Sequence, residues 1–221
     1  NLDGMLLPPP LCDNPAILKV LQSSGKPFAR IAPSISMEIG FRVETNDVEA
    51  ARQMTEKLIE LGHTMIGFVT GRKGTATTKR RLKGFLAAMK DANLPVPDDL
   101  IAAGTLEYRS GLDAGEVLLS RAQRPTAIFA SNDEMAAGLI AAAHKFGLSV
   151  PQDLSIAGFD DSVVATVVWP PLTTVRQPIK DMAATAVSGV IAKLRGQEEN
   201  TTDVQQLPFE VIMRESTAAN G

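Results

Sequence analysis

Pro125-Thr-Ala-Ile-Phe-Ala-Ser-Asn-Asp-Glu-Met-Ala-Ala-Gly138, continuing through Leu139-Ile-Ala-Ala-Ala-His-Lys-Phe146 to Leu154-Ser-Ile-Ala157, decides the fold. Ala127–Ala130 is a short apolar run and predicts a buried strand. From Glu134 to Phe146 the apolar residues recur three and four apart, which predicts a helix. Leu154–Ala157 then predicts a second strand. Upstream the same rhythm recurs. Val48–Leu61 reads as a helix with Ala51, Met54, Leu58 and Leu61 on one face, and Gly62 stops it. Met65–Val69 reads as a strand, Thr78–Ala92 as a helix, Leu100–Ala103 as a strand and Ser110–Ala122 as a helix. Nearer the start, Met5-Leu-Leu7, the helix-like Pro15–Ser24 and Phe28–Ala32 continue the pattern backwards. Strand, helix and strand in repetition imply right-handed βαβ crossovers and parallel sheets covered on both faces. The tail departs from that rhythm: Leu172–Arg176 suits a strand, Ile179–Leu194 a long Ala-rich helix, Gly196–Asp203 is polar, and Val211–Met213 suits a last strand.

Composition narrows the function. The 221 residues are 44% apolar and 21% charged, with a formal net charge of −3, so the chain can bury a core and is not disordered. A pI near 5.5 argues against electrostatic gripping of nucleic acid, which needs a clustered basic face. No apolar run reaches the roughly 18 residues of a membrane span. Asn1–Pro10 has neither the basic start nor the long apolar core of a signal peptide. Cys12, the one cysteine, allows no internal disulfide and fits a reducing compartment. A cytoplasmic protein without a membrane partner is the expectation.

In open α/β sheets ligands bind beyond the carboxyl ends of the strands. Four such places carry suggestive side chains: Thr70–Arg81 after Val69, Ser131-Asn-Asp133 after Ala130, Gly158-Phe-Asp-Asp161 after Ala157, and Ala32–Ser36 after Ile31. An Arg, an Asn and an Asp converging on one cleft can hydrogen-bond the vicinal hydroxyls of a sugar. Each also has a plainer reading. Asn132 or Asp133 caps the following helix, a role that accounts for such residues more often than ligand contact does. Asp160 and Asp161 serve equally as turn residues, and Lys79, Arg80 and Lys83 as solvated neighbours of Arg81. Gly71-Arg-Lys-Gly-Thr75 lacks the Gly-Lys-Ser/Thr ending of a phosphate loop, and no Gly-x-Gly-x-x-Gly follows a strand, so neither nucleotide hydrolysis nor a dinucleotide site is expected. His63 lies between helix and strand at the end opposite the expected cleft, where a structural role suits it. His144 falls inside a helix, and no Cys/His spacing suggests zinc. Catalysis, a cofactor and a metal are therefore not expected.

Six strings, taken in order, carry a family resemblance: Leu58-Ile-Glu-Leu-Gly-His-Thr-Met-Ile-Gly-Phe-Val-Thr-Gly71, Arg81-Leu-Lys-Gly-Phe85, Pro125–Gly138, Gly147–Asp161, Pro170-Pro-Leu-Thr-Thr-Val-Arg-Gln-Pro178 and Arg214-Glu-Ser-Thr217. Together they resemble the effector-binding domain of lactose-repressor/galactose-repressor (LacI/GalR) transcription regulators, over nearly the whole chain from Leu2-Asp-Gly4 to Arg214. The resemblance implies a type I periplasmic-binding-protein-like clamshell, two parallel-sheet α/β lobes joined by three crossovers near Thr45–Asp47, Arg176–Pro178 and Thr202–Gln205. One lobe would comprise 1–45 plus 177–203, and the other 46–176 plus 204–214. It implies a sugar-like effector held by Arg81, Asn132 and Asp160, with Thr77, Leu106 and Tyr108 completing the set; Asp161 is structural. Many members place an aromatic near Leu106, and Tyr108 is two positions away, so the resemblance implies a less conventional sugar, a sugar acid or a glycoside. The greasy run Val163–Trp169 is read either as a buried short helix or, through Val167, Val168 and Trp169, as a homodimer contact; the second is favoured. Relatives begin with a helix-turn-helix headpiece, a hinge helix and two βα units that these 221 residues lack. The first lobe is thus expected to be partial, and operator DNA to be reached only through the missing headpiece. A solute-binding protein of a transport system is the alternative on the same fold.

Overall fold

The computed structural model describes residues 2–197 and 204–221. Its chain divides into two compact units, Asn1–Asn46 with Pro178–Pro208 and Asp47–Gln177 with Phe209–Gly221.

The first unit holds a four-stranded parallel sheet, β1 (Met5–Leu7), β2 (Phe28–Ile31), β3 (Phe41–Glu44) and β9 (Val204–Gln206), hydrogen-bonded in that order. Helix α1 (Pro15–Ser24) starts where the Asn14 side chain accepts from the Ala16 and Ile17 amides, and ends at Gly25. Its Leu18 and Leu21 pack with Leu7, Cys12 and Phe28. Helix α7 (Ile179–Leu194) packs Met182, Ala186 and Val190 against Ala29, Phe41 and Val43. Arg30, fully buried, uses its guanidinium on the carbonyls of Cys12, Ile35, Ser36 and Ile39 and on Asp13. The loop after β2, a candidate ligand loop by sequence, is therefore bound up by the unit's own arginine.

The second unit is a parallel sheet in the order β5 (Ile101–Ala102), β4 (Ile66–Val69), β6 (Ala127–Ala130), β7 (Ser155–Ala157). A two-stranded antiparallel ribbon, β8 (Thr174–Arg176) with β10 (Glu210–Ile212), accompanies it. Helices α2 (Asp47–Glu60) and α3 (Ala76–Asp91) build one apolar cluster, where Phe68 stacks on Phe85 at 4.9 Å and meets Phe129 edge-on. Helices α4 (Tyr108–Leu119) and α5 (Asp133–Lys145) build the other around Ile128, Leu118 and Leu139. Clothing on both faces explains why β4 and β6 are apolar at every position. Where α4 and α5 cross, a β-carbon on Gly138 would lie 2.2 Å from the Tyr108 carbonyl oxygen, so only glycine permits that approach.

The structure adds to the sequence reading in four places. β3 and β9 are strands that the apolar rhythm did not announce. β9 belongs to the first unit, so the chain re-enters the second between Pro208 and Phe209, after the expected Thr202–Gln205; Thr202 and Asp203 lie outside the described residues. Val163–Val167 is a short helix, α6, but not a buried one: Ala165 faces inward, while Val163, Val167 and Trp169 are 77%, 71% and 76% exposed. Val168 departs from the expected contact face and packs on the α4–α5 core. Finally, His63 sits before β4 with Nδ1 2.9 Å from Thr126 Oγ1, and Nε2 3.0 Å from Ser155 Oγ and 3.1 Å from the Ala218 carbonyl. It ties the N-terminal ends of the strands to the chain's tail, a structural role.

Candidate functional site

The carboxyl ends of β4, β6 and β7 bring together one charged cluster, all of it within the second unit. Arg81 lies in the second turn of α3, 7% exposed, its guanidinium 3.6 Å from the centre of the buried Phe159 ring. Asp47, the first residue of α2 and 2% exposed, is well placed by the positive end of that helix. Its Oδ1 accepts from Arg81 Nε at 3.1 Å, and its Oδ2 from Arg80 Nε at 3.0 Å. Arg81 Nη1 donates to the Ser131 carbonyl, and Nη2 lies 3.5 Å from Asp160 Oδ1. Gln177 Nε2 donates to that same Oδ1 at 2.6 Å. Arg81 is thus fixed on three sides and stacked on a fourth.

Asp160 and Asp161 both adopt positive φ, +113° and +54°, a strained backbone for residues with a β-carbon. Neighbouring bonds hold them there. The Asp160 amide donates to the Val175 carbonyl at 2.8 Å, and Asp161 takes Arg176 Nε and Arg214 Nη2, each at 2.6 Å. Gly158 precedes them because a β-carbon there would lie 2.4 Å from Asp133 Oδ1. Burial raises the pKa of Asp160, which keeps 34% of its side chain exposed; Arg81 and the Gln177 bond oppose the rise, and Asp47 adds to it. Burial would likewise raise Asp161, but its two arginines hold it below the usual carboxylate range.

Asn132 serves the plainer role foreseen for it: its Oδ1 caps α5 by accepting from the Met135 amide at 3.1 Å. Its Nδ2 also donates to the Leu106 carbonyl at 2.9 Å, tying the β5–α4 loop to the cluster. Among the described residues, one donor and one acceptor position of that amide have no partner. Leu106, at φ +71°, packs on the α4–α5 core and presents an aliphatic surface where an aromatic was looked for. Tyr108 opens α4, 46% exposed, and among the described residues no hydrogen bond links it to the Arg81 cluster. Thr77, half-buried, stands one helical turn before Arg81 on the same face of α3. Asp133 is a support: its carboxylate accepts from the Ser162 amide at 2.7 Å and the Thr174 hydroxyl at 2.6 Å, and burial pushes its pKa up to about 6.

Three members of the cluster escaped the sequence reading. Asp47 reads there only as a crossover residue, because its partner Arg81 is 34 positions away. Phe159 stands inside a quoted motif with no role given it, and Gln177 likewise reads only as a crossover residue. The arrangement is neutral, with Asp47 and Asp160 matching Arg80 and Arg81. It offers an acceptor beside a guanidinium donor, which suits a diol and supplies no nucleophile–base pair. Among the described residues no group of three or more His, Cys, Asp or Glu is placed to hold a metal ion, and no helix is long and apolar enough to cross a membrane.

Residues 55–217 match the family described as periplasmic binding protein-like domain. The HTH-type transcriptional regulator DegA of Bacillus subtilis (strain 168) is 38% identical over 209 residues, 93% of this chain and 60% of DegA. The chain spans about half to three-fifths of the length of the curated relatives it matches. A regulatory protein of the LacI family from Chloroflexus aggregans is 31% identical, with a TM-score of 0.90 over 100% of this chain and 78% of that one. A LacI family transcriptional regulator from Enterococcus faecium with bound ribose is 27% identical, with a TM-score of 0.87 over 100% of this chain and 81% of the other.

Proposed function

The chain belongs to the LacI family and carries its periplasmic-binding-protein-like domain, and from that premise we propose that it is the effector-binding part of a transcription regulator whose effector is a neutral sugar. The observation that carries the reading is Arg81, clamped by Asp47 and stacked on Phe159, with Asp160 alongside. The effector is held at the carboxyl ends of β4, β6 and β7. Arg81 and Asp160 take neighbouring hydroxyls, Asn132 adds its spare donor and acceptor, and Thr77 and Leu106 border the site. A sugar acid is disfavoured, because Arg81 already faces two carboxylates and a third would have to displace one of them. Tyr108 is the outermost member and contributes least.

The regulator names of the relatives favour this reading over a transport solute-binding protein, which the same fold would serve, and over an enzyme. The regulator works in the cytoplasm as a homodimer, with Val167 and Trp169 in the contact, and reaches operator DNA through a helix-turn-helix segment of the longer protein. Effector binding biases operator affinity by no more than its preference between the two conformations it distinguishes.

A thermal-shift panel of neutral pentoses, hexoses and disaccharides, with uronic acids and sugar phosphates, tests the ligand class. A neutral sugar at about 100 times its Kd is expected to add about 2.7 kcal/mol of stability. Stabilisation by the acids alone contradicts the neutral site.

A further inference from the structure

Charges on the outer faces of α2 and α4 are neutralised within the chain. On α2, Arg52 pairs with Glu49 and Glu56, and Lys57 with Glu60; on α4, Arg109 pairs with Asp113, and Glu116 with Lys145 of α5. The outer side of α3 is different. Lys79, Lys83, Leu86 and Lys90 are all exposed, and at about 100° per residue they fall within one sector of about 60°, opposite the buried Arg81, Phe85, Ala88 and Met89. Among the described residues none of the three lysines has an ion-pair partner. Lys79 and Lys83, one turn apart, repel one another, and Lys79 stands at the start of the helix, where its positive end disfavours a cation. The row weakens the helix that carries it, so folding does not account for it. At its far end the row meets a groove. Asn93, at φ +57°, turns the chain back so that Leu94, Pro95 and Val96 lie beside Leu86 and Lys90. Leu94 and Val96, half-buried, pack on the Phe68 cluster. We propose that the outer row of α3 and this groove are a docking surface for an acidic segment of a partner protein, its carboxylates on the lysines and an apolar side chain on Leu86 and in the groove.

Charge complementarity sets the sign of the partner. Three unpaired cations lie along about 16 Å of helix axis in a chain whose formal net charge is −3, so the attraction is local to this row. The apolar part sets its class. A phosphate backbone would find in the row neither arginine forks nor an aromatic platform for its bases, and would leave Leu86 and the groove unused. A protein segment uses both parts: carboxylates meet the lysines at the rim, while an apolar side chain covers Leu86 and enters the groove, the usual division of an interface into apolar centre and charged rim. The rim charges then govern the rate of encounter and the choice of partner, and the apolar contact how long the partner stays. The surface is on the side of α3 turned away from Arg81, so the proposal does not depend on the effector reading.

Nuclear magnetic resonance on the isotopically labelled chain tests this with three probes. The first is a helical peptide of about 12 residues, long enough to run beside the row, with Glu on one face around a central Leu. The second is the same peptide with Gln for Glu, and the third a duplex oligonucleotide. The Glu peptide is expected to shift the amides of Lys83, Leu86, Lys90 and Leu94, and the Gln peptide to bind at least about tenfold more weakly. Lys83→Glu with Lys90→Glu is expected to weaken the Glu peptide at least about tenfold, and Leu86→Ser by itself at least about threefold. All three side chains are exposed, so melting temperatures should hold. The Leu86 result separates docking from a cloud of counter-ions, which a neutral substitution leaves as it was. No shift along α3 with the Glu peptide, equal affinity for the Gln peptide, or a Leu86→Ser chain that binds as the parent does overturns the proposal. Tighter binding of the oligonucleotide than of the Glu peptide assigns the row to nucleic acid and overturns it equally.

Discussion

Asp133 and His63 are both buried, and they give the stability of this chain opposite dependences on pH. For Asp133 the folded pKa, about 6, stands above the ordinary 3.8, so the native state keeps its proton longer than the unfolded one. Its contribution is fully present below about pH 3.8 and is lost as the pH rises through about 6. The gap of about 2 pH units corresponds to about 3 kcal/mol. Asp133→Asn should remove that decline, so urea melts of the variant between pH 4 and 7 should lack the alkaline loss of the parent. Burial lowers the pKa of His63, which reverses the sign. Its contribution is present above about pH 6.5 and is lost as the pH falls through the lower folded value. His63→Ala should flatten this acid limb and cost about 2–3 kcal/mol at pH 7.5, because Thr126, Ser155 and the Ala218 carbonyl lose a buried partner. At this scale the sequence was partly legible. A polar residue straight after a strand marked Asn132 and Asp160, and a motif marked Arg81. The grip of Asp47 on Arg81 was hidden, because nothing local in the sequence announces a hydrogen bond across 34 positions.

Elements were legible in proportion to how completely they are buried. β4 and β6, apolar throughout, and α7, whose bounds match the apolar pattern, follow from composition and period alone. β3 alternates Phe41 and Val43 with Arg42 and Glu44, and β9 reads Val-Gln-Gln. Four and three residues with half or more of them polar give no apolar run, and these strands exist because they pair with each other and with β2. The α4–α5 crossing makes a sharp prediction. Gly138→Ala places a methyl group against the Tyr108 carbonyl, so the start of α4 must shift, at a cost of about 1–3 kcal/mol in a chemical melt. The same shift strains the bond from Asn132 to Leu106, so sugar affinity should fall as well. The face of α6 makes another prediction. Val167→Asp with Trp169→Ser should convert the proposed dimer to monomer in sedimentation velocity and leave the monomer's melt nearly unchanged, since both side chains are more than 70% exposed.

Across the whole molecule, the chain passes between its units three times, at Asn46–Asp47, Gln177–Pro178 and Pro208–Phe209, and the first two passages fall at Asp47 and Gln177, which bond Arg81 and Asp160. In the proposed reading recognition needs little charge, because the cluster is neutral and binding rests on where donors and acceptors stand. That claim is tested most directly at Arg81 by titration calorimetry with the sugar that the stability panel selects, on the unaltered chain and on Arg81→Lys. Lysine keeps the positive charge between Asp47 and Asp160 but loses the planar fork and the stacking on Phe159. The account predicts binding to the parent and at least about 100-fold weaker binding to a folded Arg81→Lys, a loss of about 2.7 kcal/mol. Equal affinity in the two proteins, or no sugar bound by the parent, would contradict it.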